Sequence, residues 1–323
     1  MKILWPLLAC FVVLLTGCER NNLSTPARMV APPPPGFPSE VKDGRGKNIR
    51  MARPPKRIVV AGTPLYSEVL MDLGADYLIV GIASSPGNPL RLKKLEKIGK
   101  VWPLNIEKVV ALQPDLILGT MGIFRTKLEQ LGKAPVFTGG TKTGQIRSTK
   151  DIASLVERID KLVHGKTERY KQWWSALQKR RQRLLKPLQT LRKKPRISAA
   201  IVYLSSPQAS TMYLTGKGSP AHELLLEAHG RNVFTNARTA ASSIEALVKA
   251  DPDVIITAPS YIKRFQKHKV LKQLRAVQKG RILGISPSMY TSTRFLKALR
   301  AIIKGLHPNL KLPSSRIIHP DAK

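Results

Sequence analysis

The stretch NIEKVVALQPDLILG, residues 105–119, decides the fold. Its apolar residues recur at i, i+3 and i+4 from Ile106, which predicts a short amphipathic helix. Pro114-Asp115 then predicts a turn, and the apolar run that follows predicts a strand. The stretch SIEALVKADPDVIIT, which begins at Ser243, repeats this order of helix, turn and strand.

The two stretches are related by one constant offset. Glu107 recurs as Glu245 and Pro114 recurs as Pro252, each 138 residues later (245 − 107). The apolar helix positions also correspond, as Ile106 with Ile244, Val109 with Leu247 and Val110 with Val248. Chance can produce one such echo, but a matching offset, charge, apolar face and turn favour a structural duplication.

The chain has 323 residues, which is enough for two domains with a sizeable core in each. It carries 55 Lys+Arg against 20 Asp+Glu, a formal net charge of +35. For a cytosolic protein this charge would indicate nucleic-acid binding, because Lys and Arg dominate phosphate contacts.

The N-terminus argues against a cytosolic protein. In MKILWPLLACFVVLLTGC, Lys2 precedes an apolar run that ends in small residues before Cys18, the layout of a secretory signal too short to span a membrane. Leu15 to Cys18 resembles the lipobox of bacterial lipoproteins, which implies cleavage before Cys18 and a lipid on it. An ordinary cleaved signal or a short anchor, with Cys18 incidental, is the alternative.

Export changes the interpretation of the other composition signals. Cys10 lies within the apolar run, so a chain cleaved before Cys18 has no partner thiol for an internal disulfide. Outside the cytoplasm the charge favours an anionic membrane face, an anionic ligand or an acidic medium over DNA. The alternative is a solvated basic surface with no specific partner. No nucleic-acid partner is expected.

Composition and pattern divide the chain into six segments. They are a signal peptide at 1–17, a lipid-anchored Pro-rich linker at 18–55, an N-terminal α/β lobe at 56–148, a helical segment with the interdomain helix at 149–194, a C-terminal α/β lobe at 195–311 and a tail at 312–323.

Each lobe alternates strand-like runs with helical patterns and short Gly/Pro turns. This alternation predicts a parallel sheet covered by helices. The strand-like runs are 57–60, 77–80, 116–119 and 136–138 in the first half, and 196–202, 213–216, 254–257 and 281–285 in the second. Between the halves, residues 167–187 predict a helix about 30 Å long, which is enough to cross from one domain to the other.

From Pro55 to Pro308 the chain resembles the ABC-transporter solute-binding proteins that carry vitamin B12, ferric siderophores or haem. The resemblance is carried by PKRIVVAGTPLYSEVLMDLGADYLIVGI, IGKVWPLNIEKVVALQPDLILGT, YLTGKGSPAHELLLEAHGRNVF and SSIEALVKADPDVIIT, in that order. It implies an α/β fold of two Rossmann-like lobes with parallel sheets, joined by a single long backbone α-helix, with the ligand in the cleft between them.

The resemblance also implies the biology. The chain is expected to be a non-enzymatic, extracytoplasmic substrate-binding component of an ABC importer, lipid-anchored in the periplasm or at the cell surface. Its implied partners are a permease, that permease's ATPase and a small-molecule chelate, and we expect a monomer without a cofactor of its own. The transported ligand would be an iron chelate (siderophore or haem) or cobalamin.

In this family one glutamate on each lobe docks against arginines of the permease, which implies that role for Glu107 and Glu245. A local role is the alternative. Asn105 is a possible N-cap before Glu107, and Ser242 with Glu245 fits a capping box, so each acid could stabilise a helix start. Both roles can hold at once.

Ligands of parallel α/β lobes contact the loops at the carboxyl ends of the strands. Aromatic rings there would stack on a large flat ligand, and arginines would meet its acidic groups. The expected ligand-binding residues are Tyr66, Trp102, Arg125, Tyr203, Arg238, Tyr261, Tyr290 and Arg294. The first lobe has GTMGIF where B12-binding relatives tend to place a tryptophan, which weakens the cobalamin alternative.

Other classes of site fit the sequence less well. All six histidines lie at or after His164, so no bare metal ion is expected between the lobes, and HELLLEAH misses the HExxH spacing because Leu226 stands at i+4 from His222. The chain has no GxSxG and no P-loop, so no enzyme is expected. An envelope-anchored basic module that binds a polyanion or anionic surface without transport is the competing function.

Overall fold

The computed structural model describes residues 31–120, 122–141, 144–204, 212–235 and 239–314. The described helices and strands lie in one compact unit, Pro33–Lys323. The strands are β1 Ser39–Lys42, β2 Asn48–Met51, β3 Ile58–Val60, β4 Ile79–Ser84, β5 Glu96–Lys100, β6 Leu116–Leu118, β7 Val136–Phe137, β8 Ile197–Leu204, β9 Met212–Thr215, β10 Gly230–Asn232, β11 Thr239–Ser242, β12 Val254–Thr257 and β13 Ile282–Gly284. The α-helices are α1 Pro64–Asp72, α2 Ile106–Ala111, α3 Gly122–Leu131, α4 Thr149–His164, α5 Glu168–Leu185, α6 Pro220–Glu227, α7 Ile244–Ala250, α8 Ile262–Lys267, α9 Arg275–Gln278 and α10 Phe295–Leu306. Within these ranges, no helix combines the length and the apolar character needed to span a bilayer.

The first lobe is built on a five-stranded sheet in the order β5-β4-β3-β6-β7, and every neighbouring pair is parallel. Strands β3 and β6 are buried along their whole length. Central parallel strands are covered by helices on both faces, which explains why these segments are continuous apolar runs and not alternating ones.

The second lobe has a mixed sheet. Strands β10, β12 and β13 extend β8 in parallel, as the sequence predicts. Strands β9 and β11 instead add an antiparallel edge, with β9 pairing to the end of β8. Only seven residues separate β8 from β9. A parallel crossover needs a dozen residues or more, so these two strands must pair antiparallel.

The predicted duplication is present in the backbone. Helices α2 and α7 begin 138 residues apart (244 − 106), and strands β6 and β12 keep the same offset (254 − 116). Gln113 and Asp251, also 138 apart, both have positive φ, 45° and 31°. The two lobes therefore use one helix-turn-strand unit, including its left-handed residue before the proline.

The repeated Pro-Asp turn has a structural role. The Asp115 carboxylate accepts backbone hydrogen bonds from Lys56 (2.6 Å) and Arg57 (2.9 Å), just before β3. The Asp253 carboxylate likewise accepts from the backbone N–H (3.2 Å) and the hydroxyl (2.5 Å) of Ser198 in β8. The Ser198 hydroxyl lowers the pKa of Asp253. In each lobe the aspartate thus ties the turn before one strand to the start of its neighbour.

Helix α5 crosses between the lobes and fits the predicted interdomain helix at 167–187. Near its start, Arg169 donates to the carbonyl of Leu73 and Trp173 Nε1 donates to Asp72 (3.2 Å), both in the first lobe. Near its end, Arg181 forms an ion pair with Glu227 of the second lobe. Twelve residues separate Arg169 from Arg181, about 18 Å of helix.

A second contact joins the lobes directly. Glu68 of α1 accepts a hydrogen bond from the Ser292 hydroxyl (2.6 Å) and another from the Thr293 backbone N–H (3.1 Å), both just before α10. One turn further along α1, Asp72 lies 3.8 Å from Arg294. Burial raises the pKa of Glu68, although the hydrogen bonds from Ser292 and Thr293 and the charge of Arg294 act in the opposite direction.

The linker prediction for 18–55 is wrong over residues 37–51. Strands β1 and β2 pair as an antiparallel hairpin whose alternate residues, with the preceding Phe37, are buried in the main core. Its turn is fixed to the first lobe, because Gly44 N donates to Thr138 O (2.7 Å) and Arg45 pairs with Glu129 (2.6 Å). The strands have four residues each, so the apolar alternation was too short to stand out among the surrounding prolines and charges.

The start of the predicted tail also makes a contact, because Arg300 of α10 donates to the carbonyl of Pro313. Residues 1–30 and 315–323 lie outside the described residues, so the predicted signal peptide, the start of the linker and most of the tail remain predictions.

We predict that Ile49→Ala lowers the free energy of unfolding by about 2–5 kcal/mol, because it leaves a cavity under the hairpin. Ile49 is 4% exposed, whereas its neighbour Arg50 points outward. Arg50→Ala is therefore the matched control and should change stability little. Urea unfolding of residues 33–323 measures both. Equal, negligible effects would mean that the hairpin is a tether and not part of the core.

We also predict a pH-dependent effect of Glu68→Gln. Because the folded pKa of Glu68 is raised, the stability contributed by its protonation is complete below the ordinary glutamate pKa and is lost as the pH rises through the folded value. The melting temperature of the Glu68→Gln variant should therefore rise relative to the unmodified chain between about pH 4 and about pH 7. Glu40→Gln, on the exposed face of β1, is the control. A difference that stays constant with pH would contradict the assignment.

Candidate functional site

The carboxyl edge of the first sheet carries an exposed aromatic pair. Trp102 follows β5 and is 62% exposed. Its ring meets that of Phe124 edge to face, with centroids 4.7 Å apart at 75°. Gly122, with a φ of 59°, begins α3 beside the Trp102 ring. A large aromatic face left open to solvent at a strand edge can stack on a flat conjugated ligand.

Tyr66 packs in the core beneath the loops that follow the strands at this edge. It is 5% exposed, and its hydroxyl accepts a hydrogen bond from Gly139 N (2.9 Å). Its ring fills the space beside Gly119, where an added Cβ would lie 2.5 Å from a ring carbon. Burial raises the pKa of Tyr66 to about 12. The structure thus places Tyr66 in the core under the strand-end loops, and not on the ligand surface expected from the sequence.

The carboxyl edge of the second sheet carries buried hydroxyls. Tyr203 is the last residue but one of β8 and Thr257 ends β12, so both lie at the carboxyl edge of this parallel pair. Thr257 is in register with Val202, so its side chain and that of Tyr203 lie on opposite faces of the sheet. Tyr290, 3% exposed, contributes a third hydroxyl. Burial raises the pKa of both tyrosines, and the neighbouring Tyr203 raises that of Tyr290 further. Both phenols are therefore neutral at pH 7 and can donate.

The Tyr203 and Tyr290 hydroxyls lie close enough to share one hydrogen bond, and neither they nor the Thr257 hydroxyl has any other hydrogen-bond partner within the described ranges. A buried polar group without a partner carries a desolvation cost that a ligand or water oxygen can offset. The edge therefore offers hydrogen-bonding capacity beside the apolar core of the lobe.

The remaining expected ligand residues are distributed differently. Tyr261 closes a short 3-10 turn after β12 and is half-buried against the second-lobe core. Arg125 is half-buried on α3, and its Nε has no partner among described atoms. Arg294 lies at the lobe junction beside Asp72, in a groove of about 1090 Å³ that Trp173 of α5 also lines. Arg238 lies outside the described residues.

Glu107 and Glu245 are exposed in the first turns of α2 and α7. Helix α2 runs back from the carboxyl edge of the first sheet to the start of β6, so Glu107 lies at the same edge as Trp102. In the described ranges neither glutamate forms an ion pair with a Lys or Arg, despite the basic composition.

The local helix-capping alternative is partly correct. Asn105 caps α2 by accepting from Lys108 N (3.0 Å). The expected Ser242–Glu245 capping box is wrong, because the N-cap of α7 is Ser243, which accepts from Ala246 N (3.4 Å). A hydrogen bond from the Ser243 side chain lowers the pKa of Glu245. Asn105 and Ser243 are therefore the residues that cap α2 and α7. Glu107 and Glu245 project from the first turns of these helices.

The two histidines of HELLLEAH, residues 222–229, make structural contacts, one in the core and one at the surface. His222 of α6 is buried with Nδ1 3.2 Å from Asn232, and burial lowers its pKa. His229 Nε2 lies 3.0 Å from the carbonyl of Lys194. Over the described residues no three His, Cys, Asp or Glu side chains are grouped so that they could hold a metal ion.

Sequence reasoning missed Glu68 and Asp72. They form an i, i+4 acidic pair on one face of α1 in a strongly basic chain, a signal that was available. Their contact with Ser292–Arg294, more than 200 residues away, was not available from local pattern.

Comparison with known proteins agrees with this architecture. The family model described as periplasmic binding protein matches residues 59–289. The chain is 24% identical over 313 residues to the uncharacterized ABC transporter substrate-binding lipoprotein YvrC of Bacillus subtilis (strain 168), covering 95% of this chain and 97% of that protein. It is 26% identical over 220 residues to the vitamin B12-binding protein of Vibrio parahaemolyticus, covering 65% and 74%.

Among solved structures, that of a periplasmic heme binding protein from Pseudomonas aeruginosa aligns with a TM-score of 0.70 and 25% identity over 80% of this chain and 95% of that one. This structure has the same arrangement of two α/β lobes joined by a helix, and the family model covers most of both lobes. The chain belongs to the periplasmic binding protein family, as an extracytoplasmic substrate-binding component of an ABC transporter.

Proposed function

We propose that this protein captures a large chelate, a ferric siderophore, haem or cobalamin, between its two lobes and delivers it to the permease of an ABC importer. The observation that carries the proposal is the exposed Trp102–Phe124 pair on the first-lobe edge. An open aromatic surface of this size suits a macrocycle or an aromatic chelator better than a small hydrophilic solute such as a sugar or an amino acid.

The second lobe complements this surface chemically. The neighbouring neutral phenols of Tyr203 and Tyr290 can donate to a carboxylate, hydroxamate or amide oxygen at the periphery of a chelate. Relatives whose names specify vitamin B12 or heme support the same ligand range. All three chelate classes fit an aromatic surface opposed by hydrogen-bond donors.

We propose that Glu107 and Glu245 dock the loaded protein on the permease. Each is exposed, forms no ion pair in the described ranges and is held on an equivalent helix of its lobe, so the pair can match the two halves of a two-fold transporter. Charges arranged in this way fix orientation and accelerate encounter more than they add affinity. Glu107 and Glu245 differ from other exposed acids such as Glu40 and Glu157 because they occupy equivalent positions on the two lobes.

The membrane location completes the proposal. Cleavage before Cys18 and lipidation of that cysteine would tether the protein at the outer face of the membrane that holds the permease. The lipobox-like ending of the leader and the word lipoprotein in the name of the Bacillus relative support the anchor. Tethering raises the local concentration of the binding protein around its transporter.

We predict that Trp102→Ala weakens binding of the cognate chelate about three- to tenfold, the factor that corresponds to about 0.5–1.5 kcal/mol of aromatic contact. Tyr77→Ala is the matched control, because Tyr77 is 77% exposed and lies away from the carboxyl edge, before β4. Absorbance or fluorescence titration with haemin, cyanocobalamin and ferric siderophores measures the affinities. Binding that is unchanged by Trp102→Ala would remove this edge from the proposed site.

We predict that Glu107→Ala with Glu245→Ala abolishes permease-dependent uptake while chelate affinity stays within about twofold, because these side chains are exposed on the first turns of α2 and α7 and are not among the proposed aromatic and hydroxyl ligand groups. Glu40→Ala with Glu157→Ala is the control, since both residues are exposed and neither forms an ion pair in the described ranges. Uptake in whole cells and affinity of the purified protein are measured separately. Lost chelate binding with intact docking would refute the docking role.

A further inference from the structure

The strongest charge feature of the fold lies away from the carboxyl edges of the two sheets, where we propose that the chelate binds. We call these carboxyl edges the cargo edge. Between Arg169 and Arg196 the sequence contains eleven Lys or Arg and no Asp or Glu. On α5 and the 3-10 turn that follows it, Lys179, Arg183 and Lys186 are spaced by four and three residues, which places them on one face. All three side chains are exposed.

These three residues line a groove of about 660 Å³ together with Arg192 and Arg196. Arg183 and Lys186 also line an adjoining groove with Lys311. We call this surface the basic face, defined by Lys179, Arg183, Lys186, Arg192, Arg196 and Lys311.

Within the part of the chain that the structure describes, acidic side chains do not balance the charge of the basic face. Glu227 is the one acid lining the larger groove, and it is already paired with Arg181. Arg196 donates to the carbonyls of Leu226 and Gly230, which leave its charge unneutralised. Like charges held close together repel, so an anionic partner that neutralises them gains free energy on binding.

The composition of the basic face distinguishes between anionic partners. Leu226, 40% exposed, is the exposed aliphatic side chain of the larger groove, and it lies beside the half-buried Leu185 and the buried Leu188. Exposed aliphatic side chains among Lys and Arg are typical of surfaces that rest in the headgroup region of a bilayer. No Phe, Tyr or Trp is among the residues lining either groove, so the face lacks the row of large aromatic rings on which single-stranded nucleic acids stack.

The position of the basic face is fixed by topology. Arg196 immediately precedes β8, and His229, which also lines the larger groove, immediately precedes the parallel strand β10. The groove therefore lies at the amino edge of the second sheet. Tyr203 and Thr257 lie at the carboxyl edge of the same sheet, so the basic face and the proposed cargo edge are on opposite sides of the lobe.

We propose that the basic face binds the surface of a bilayer containing anionic phospholipid, and that it holds the undocked protein with its cargo edge turned away from the membrane. The protein then rests on the leaflet while its cleft stays open to solution, and docking through the opposite edge requires release from the lipid. Each Lys or Arg near an anionic leaflet strengthens binding about fivefold, so the face acts as a second, reversible anchor.

The test uses residues 33–323, the compact unit that contains every described element and neither cysteine, so no acyl chain contributes. Co-sedimentation is measured with vesicles of phosphatidylcholine containing about 30% phosphatidylglycerol, with pure phosphatidylcholine, and between about 50 and about 500 mM NaCl. We expect binding to the anionic vesicles only, with loss at high salt. Absence of binding to the anionic vesicles at low salt would overturn the proposal.

Replacing four residues of the basic face with glutamine should weaken vesicle binding by about 100-fold or more. The four substitutions are Lys179→Gln, Arg183→Gln, Lys186→Gln and Arg192→Gln. The matched control removes four exposed, unpaired lysines of the first lobe and should weaken binding far less. These substitutions are Lys93→Gln, Lys94→Gln, Lys127→Gln and Lys133→Gln.

Equal losses in the two variants would mean that total charge, and not this face, is responsible, which overturns the proposal. Unchanged melting temperatures confirm that both variants fold. A DNA duplex of about 20 base pairs, measured under the same salt conditions, is the competing partner. Tighter binding to the duplex than to the vesicles, lost in the basic-face variant, would assign the face to a soluble polyanion and overturn the membrane assignment.

The orientation is tested with single cysteines, since residues 33–323 contain none. A fluorophore is attached at Gln189→Cys, on the larger groove, or at Glu245→Cys, on the opposite edge. In anionic vesicles made with brominated lipid, quenching is expected for the first probe and not for the second. Quenching at Glu245→Cys with none at Gln189→Cys would overturn the orientation.

Discussion

The fixed relation between the two lobes depends on helix α5, which is held at both ends. Arg169 and Trp173 attach its start to the first lobe, and the ion pair between Arg181 and Glu227 attaches its end to the second. The main core continues across this junction, since Leu70 of the first lobe and Leu299 of the second belong to one buried cluster. Two lobes that share a core and a bridging helix have little freedom to hinge, so capture depends on two nearly preformed edges.

The sequence predicts well those elements whose signal is local and repeated. The prediction agrees with the structure for the helix-turn-strand units that begin at Ile106 and Ile244, which contain strands β6 and β12, and for helix α5. These elements are predictable because apolar periodicity and the Pro-Asp turn depend only on residues close together in the sequence. The hairpin of β1 and β2 was missed, because its four-residue strands gain their stability from the distant core and not from propensity. The antiparallel edge at β9 follows from the seven-residue connection after β8, which is too short for a parallel crossover.

In the candidate site, too, the sequence predicts what depends on local pattern and not what depends on distant contacts. Topology places Trp102 and Tyr203 at strand ends, and sequence alone identifies such ends. Sequence does not say which way a side chain points. Tyr66 turns into the core to support the strand-end loops, and Arg294 faces α1 across the lobe junction. The buried Glu68 contact shows the limit of pattern reasoning most clearly, because it joins residues 224 apart in the chain.

The central claim is that the two strand edges together form a site for a large metal chelate. The most direct measurement is the melting temperature of residues 33–323 with haemin, cyanocobalamin and a panel of ferric siderophores, each in excess. A ligand at about 100 times its Kd stabilises the folded state by about 2.7 kcal/mol, which raises the melting temperature by roughly 5 °C or more for a chain of this size. We predict such a rise with one chelate class. No shift with any member of the panel would contradict the account.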